Sequence, residues 1–208
     1  MPQTAAVLAA TVGVAVVLGA GCGGGATATE MQSQGPGAYR GSEPPPGLSL
    51  PSFALSDVMT GDLVRSRDLG GSVVLVTFLD TDCTDACPII AGQVGEALTR
   101  LPSSARTRTK ALVISVDPHV DTRANVKQFL REHRVLGEVS YLSGSVATLR
   151  PVWKDFDIAS AHDTGDADTH SADVRVFDPS GVWVSTQHVG VDLTPANLEH
   201  DVERAMED

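Results

Sequence analysis

Val73-Val74-Leu75-Val76-Thr77-Phe78 is an unbroken apolar and β-branched run, and Cys83-x-x-x-Cys87-Pro88 follows it almost at once. A strand with one wet face alternates apolar and polar residues; a run that does not alternate belongs inside a sheet covered on both faces. Beyond Pro88, Ile90, Val94, Leu98 and Leu101 recur at helical spacing. The strand therefore feeds directly into a helix, and the two cysteines lie at the junction. Pro88 suits the first helical turn, where a missing N–H costs little.

The remainder of the chain repeats this alternation. Ala111 to Val116 forms a second buried strand. Asp121 is the expected N-cap of the next helix, which carries Val126, Phe129 and Leu130 on one face. Tyr141-Leu142 is a short strand. A further helix holds Leu149, Val152, Trp153 and Phe156, with Pro151 marking a late start or a kink. Ala172–Asp178 and Val182–His188 flank the turn Asp178-Pro179-Ser180-Gly181 and form a hairpin. Thr194-Pro195 opens a last helix as N-cap and first residue. The order β-α-β-α-β-α-β-β-α, with a parallel pair followed by an antiparallel hairpin and a closing helix, is that of an α/β thioredoxin-like fold: a central mixed sheet flanked by helices.

The amino-terminal part has a different character. Ala5 to Ala20 carries no charge, and the first Lys or Arg of the chain is Arg40. This stretch has the length of an export-signal apolar region. It is too rich in Ala and Gly for a span, which needs ~20 strongly apolar residues. It runs into Leu18-Gly19-Ala20-Gly21-Cys22, which resembles a bacterial lipoprotein cleavage box. The expectation is a signal over residues 1–22, lipidation at Cys22, and a domain on the extracytoplasmic side of a bacterial cell membrane. An uncleaved anchor or an ordinary export signal are the alternatives. One acyl chain holds weakly, so stable anchoring needs more than one. Residues 23–50, dominated by Gly, Pro and Ser, are expected to be a flexible tether, and residues 51–208 one folded domain.

With 26 Asp and Glu against 15 Lys and Arg, the net charge is −11. Such a chain lacks the cations that phosphates demand, which argues against nucleic acid as a partner. It permits a metal ion or a basic protein face. Three cysteines are too few for a disulfide scaffold.

Cys83 and Cys87, four residues apart, fall on one side of a helical turn, so both sulfurs can point to one place. A helix N-terminus stabilises thiolate, the form needed both to bind soft metals and to exchange with disulfides. In an oxidising compartment a Cys83–Cys87 disulfide is the competing arrangement.

Three motifs in order extend this reading: Phe78-x-x-Thr81-x-Cys83-x-x-x-Cys87-Pro88, then Ser115-Val116-Asp117-Pro118-x-x-Asp121-Thr122, then His170-Ser171 before Asp178-Pro179-x-Gly181. Together they resemble the Sco/SenC family, over roughly residues 51–208. The resemblance implies a membrane-anchored, thioredoxin-fold copper protein that helps to assemble the CuA centre of cytochrome c oxidase. It implies Cys83, Cys87 and His170 as ligands of copper, Cu(I) or Cu(II), and the CuA-bearing oxidase subunit as partner. The cysteine loop Thr84-Asp85-Ala86 departs from the commoner Pro-Asp-Val form of the family.

The residues themselves support the third ligand. His170 precedes the first hairpin strand, in a loop that a thioredoxin-like sheet sets beside the dithiol. Two thiolates and an imidazole suit copper, whereas zinc wants a fourth ligand. His119, after the second strand, is placed to approach the site, and His162 lies in a polar loop. His133, His188 and His200 read as surface or strand-end residues. Asp80, Asp82 and Asp85 flank the cysteines, and Asp163, Asp166 and Asp168 lead into His170. If these segments meet, carboxylates ring the site, raise the thiol pKa and attract cations.

A delivery protein for copper is thus one expectation. A thiol–disulfide oxidoreductase acting through Cys83 and Cys87 on a partner's cysteines is the other. A peroxidase of the same fold class and a structural lipoprotein with a stabilising disulfide are further alternatives.

Overall fold

The computed structural model describes residues 38–159 and 172–208. Cys22, most of the expected tether, and the loop with His162, Asp163, Asp166, Asp168 and His170 lie outside the described residues. No helix among the described residues is long and apolar enough to cross a membrane.

Strands β1 (Ala54–Asp57), β2 (Leu63–Arg65), β3 (Val73–Leu79), β4 (Thr109–Ser115), β5 (Ser140–Ser143), β6 (Asp173–Phe177) and β7 (Trp183–His188) form one seven-stranded sheet in the order β2-β1-β5-β4-β3-β6-β7. The β3, β4 and β5 strands are parallel, and β6 and β7 extend the sheet antiparallel beside β3. Helices α1 (Ala86–Arg100), α2 (Ser103–Thr107), α3 (Arg123–Glu132), α4 (Val146–Asp155) and α5 (Pro195–Ala205) complete the domain. The thioredoxin-like order expected from the sequence is present.

All seven residues of β3 are buried. Its alternate side chains Val73, Leu75 and Leu79 join residues of α1, α3 and α5 in one core, which also contains Cys83 and Cys87. Val74, Val76 and Phe78 join Leu149, Val152 and Trp153 of α4 in the other. The cysteines thus belong to a packed hydrophobic layer, at the carboxyl ends of the parallel strands where open α/β sheets place their sites.

Three local expectations need correction. The α3 N-cap is Thr122, whose hydroxyl accepts the Asn125 N–H; the Asp121 carboxylate is buried and engaged elsewhere. Helix α4 begins at Val146, capped by Ser145, so Pro151 lies inside it rather than at a late start. The β1–β2 hairpin and the short α2 are additional elements. The hairpin's signal was the inward alternation of Phe53, Leu55 and Asp57, with Gly61 taking a φ of +82° in the turn.

The expected tether also ends earlier than residue 50. Residues 42 and 49 bridge to Thr186 and Val182 of the β7 edge. The buried Asp201 carboxylate of α5 accepts the N–H groups of Arg40 (2.6 Å) and Gly41 (3.0 Å), along with the Ser185 hydroxyl (2.6 Å) and the Gln187 amide (2.8 Å). A Cβ at Gly41 would stand 2.3 Å from Ser185 Oγ, so only glycine permits this approach. Composition suggested a free segment because it has few core-forming side chains. Docking here runs through backbone groups, which composition does not report, and it covers an otherwise open sheet edge.

Candidate functional site

The site begins where β3 stops. Asp80, the first residue after β3, turns its carboxylate inward, 1% exposed. Its Oδ1 accepts the backbone N–H groups of Asp82 (2.9 Å) and Cys83 (2.7 Å). This side-chain turn bends the chain and brings Cys83 back over the start of α1. Only Cys87 is helical; Cys83 precedes the helix. The two sulfurs still share one place, because the Cys87 N–H donates to Cys83 Sγ at 3.3 Å. Cys83 thereby satisfies one of the amides left open at the N-terminus of α1, where Asp85 makes no side-chain cap. No disulfide joins the two sulfurs, and both residues are buried.

The Cys87 thiol is held far above the ordinary thiol range, first by its hydrogen bond to Cys83 and then by burial, with the Asp80 backbone N–H opposing. Cys87 is thus held as a neutral thiol beside Cys83. Of the described carboxylates expected around the site, Asp82 and Asp85 are exposed to water and Asp80 faces inward.

A second buried carboxylate braces this turn from behind. Asp121 Oδ1 accepts the Thr81 N–H at 2.8 Å, and Oδ2 accepts the hydroxyls of Ser115 (2.5 Å) and Tyr141 (2.9 Å). The Tyr141 hydroxyl also lies 3.2 Å from the Leu79 carbonyl, and the Thr81 hydroxyl donates to the Val120 carbonyl at 3.2 Å. Asp121 therefore links the end of β4, strand β5 and the cysteine loop, and Tyr141 ties them to the end of β3. Burial raises Asp121 to about 6, against the opposing pull of its Ser115, Tyr141 and Thr81 hydrogen bonds. Asp121 was legible in the sequence as a helix cap; its actual partners are distant in the chain.

Another buried charge had gone unnoticed. Arg175 of β6 is 6% exposed. It pairs with Asp173 at 3.3 Å, donates to the Phe156 carbonyl at 2.6 Å, and lies 4.6 Å over the Trp183 ring. Its signal was a cation set between Val174 and Val176 in a strand buried throughout.

Of the described histidines, His119 is exposed in the loop after β4. His133 stacks on Phe129, with centroids 4.5 Å apart, and His188 and His200 lie against Asp192 and the Ala38 carbonyl. Among the described residues no three of His, Cys, Asp and Glu are gathered as a metal site. What they do offer is a pair of adjacent sulfurs, a donor set suited to a soft ion.

Fold and site together define a thioredoxin-like domain whose dithiol opens the helix after its first central strand. The chain belongs to the SCO1/SenC family, which matches it over residues 44–207. A SCO2-like protein of Rickettsia felis is 25% identical over 154 residues, covering 70% of this chain and 71% of its own length. The structure of Bradyrhizobium japonicum ScoI with copper bound is similar at a TM-score of 0.62 and 27% identity, over 76% of this chain and 100% of that one. The solution structure of apo Sco1 from Thermus thermophilus shares the fold, with a TM-score of 0.65 and 23% identity over 80% of this chain and 96% of that one.

Proposed function

We propose that this protein is a membrane-tethered, extracytoplasmic copper-binding protein that carries copper to the CuA-bearing subunit of cytochrome c oxidase, with Cys83, Cys87 and His170 as ligands. The observation that carries the reading is the buried pair of sulfurs gathered at the start of α1 by the Cys87 N–H. Membership of the SCO1/SenC family and likeness to a copper-bound ScoI support copper as the cargo.

The residues divide the work. Cys83 and Cys87 supply soft donors that give up protons as the ion arrives. Asp80 and Asp121 hold the loop so that little rearrangement is needed. His170 supplies the imidazole that completes a three-donor set. Lipidation at Cys22, with residues 23–37 as tether, keeps the domain at the membrane surface.

A copper titration of the reduced protein tests this. One equivalent is expected to bind, with a sulfur-ligated spectrum, and to be lost in the Cys83→Ser, Cys87→Ser double variant. His170→Ala is expected to weaken binding by about tenfold or more. Stoichiometric, tight copper in the double variant would sink the reading; undiminished binding in His170→Ala would remove the third ligand.

The hydrogen bond between the two thiols favours a second reading on the same residues. The pair can pass two electrons and two protons to a disulfide in a partner, forming the Cys83–Cys87 disulfide as the partner's cysteines are reduced. Reduction of an oxidised CuA domain without added copper would support it.

A further inference from the structure

The chain is strongly acidic, yet its cations are gathered. Eight of its 15 Lys and Arg fall between Arg100 and Arg134, against three Asp and Glu in the same stretch. Within it, Arg123, Lys127 and Arg131 repeat every four residues along α3, so they line one face, and all three are exposed. Arg134 continues the line just past the helix, also exposed, with φ +60°. None of the four makes an ion pair among the described residues, whereas Arg65, Arg67, Arg100 and Arg106 each have a carboxylate within 4.0 Å. The nearby Glu132 lies on the other edge of α3, where Gln128 donates to it at 2.8 Å.

This stripe starts near the cysteine loop. The loop that leads into α3 is bonded to the cysteine loop through Thr81. At its far end, Arg134 and His133 form one wall of a groove whose other wall is α1, from Pro88 and the exposed Ile89 past Gly92. Helix α1 closes on the turn after α3 at Gly95, where a Cβ would stand 2.5 Å from Val135 Cγ1. Cations with no ion-pair partner among the described residues, the last of them sharing a groove with an exposed apolar residue that follows Cys87 by two positions, are the parts of an interface: charge to steer and an apolar contact to hold.

We propose that the α1–α3 face is the docking surface for an acidic face of the protein that receives the copper, a placement that rests on the delivery role proposed above. A partner seated there has its own metal-binding groups beside Cys87. A lipid surface on the same stripe would instead cover that approach.

The test is copper transfer from the loaded full-length protein to the soluble CuA domain of the same organism's oxidase, read from the copper content of the separated proteins at low and high salt. The triple variant Arg123→Glu, Lys127→Glu, Arg131→Glu is expected to transfer roughly tenfold or more slowly at low salt and to lose the salt dependence. Its copper affinity should match the parent. Ile89→Asp is a second variant that leaves α3 untouched, and it should also slow transfer. Arg108→Glu with Lys110→Glu, exposed cations of the same stretch outside α3, should have little effect. Unchanged rate and salt dependence in the triple variant overturn the docking surface alone. A loaded parent that never passes copper to the CuA domain overturns the recipient and the surface together, and a parent that binds no copper overturns the delivery role itself. If the triple variant loses binding to phosphatidylglycerol vesicles while transfer stays intact, the face belongs to the membrane and the proposal is wrong.

Discussion

Asp121 gives the sharpest test of how the site is held. Its carboxyl is buried, 5% exposed, with three donors on its two oxygens. Raising it from an ordinary 3.8 to about 6 corresponds to about 3 kcal/mol, at about 1.4 kcal/mol per pH unit. The folded state holds this proton more tightly than the unfolded chain does. Stability from Asp121 is therefore full below pH ~3.8 and falls as the pH rises towards ~6. In Asp121→Asn the charge is gone while the shape stays. The side-chain oxygen can still accept the Thr81 N–H, and the hydroxyls of Ser115 and Tyr141 can turn to accept from the new amide. The difference in unfolding free energy between Asp121→Asn and the parent should move by about 2.4 kcal/mol in favour of the variant between pH 4 and pH 7. Guanidinium unfolding of the reduced proteins, followed by tryptophan fluorescence, measures it, and taking the difference cancels the other carboxylates. A difference that stays flat with pH, or moves the other way, refutes the argument. Asp121→Ala should be destabilised at every pH, because each buried donor left without an acceptor costs about 1–3 kcal/mol.

Other outcomes follow from the same geometry. Gly95→Val should lose about 1–3 kcal/mol in the same unfolding assay, because its side chain overlaps Val135; Gly92→Ala, with open space at that Cβ, should not. Arg175→Met should cost about 3–5 kcal/mol by stranding the buried Asp173 carboxylate, and adding Asp173→Asn should recover part of it. Asp201→Ala should release the segment at Arg40 and Gly41, seen as faster hydrogen exchange of those two amides with the β3 amides unchanged.

The sequence went far toward the fold because its strongest signals are local. The unbroken β3 run, the helical spacing after Pro88 and the turn at Asp178–Gly181 each announce an element without help from the rest of the chain. The β1–β2 hairpin was missed because a four-residue strand of which half, Ser56 and Asp57, is polar hardly differs from loop composition. The site was legible only in part. Cys83 and Cys87 stand out by type, spacing and position. Tyr141 and Asp80 do not, since a tyrosine in a short strand and an aspartate in a polar loop are ordinary until their partners are known.

By itself, the sequence determined that two sulfurs sit where the first central strand meets a helix, because that depends on neighbours along the chain. Tertiary structure decided how they are held. Cys83 lies outside the helix it was expected to share, and meets Cys87 because Asp80 turns the backbone under it. Asp121 left the cap position to Thr122 and braces three segments, the end of β4, strand β5 and the cysteine loop. Arg40 and Gly41 are held at β7 because the buried Asp201 carboxylate collects their amides. Each of these depends on which distant donor a buried acid meets once the chain is packed, and burial makes leaving either group unpaired too costly to allow another answer.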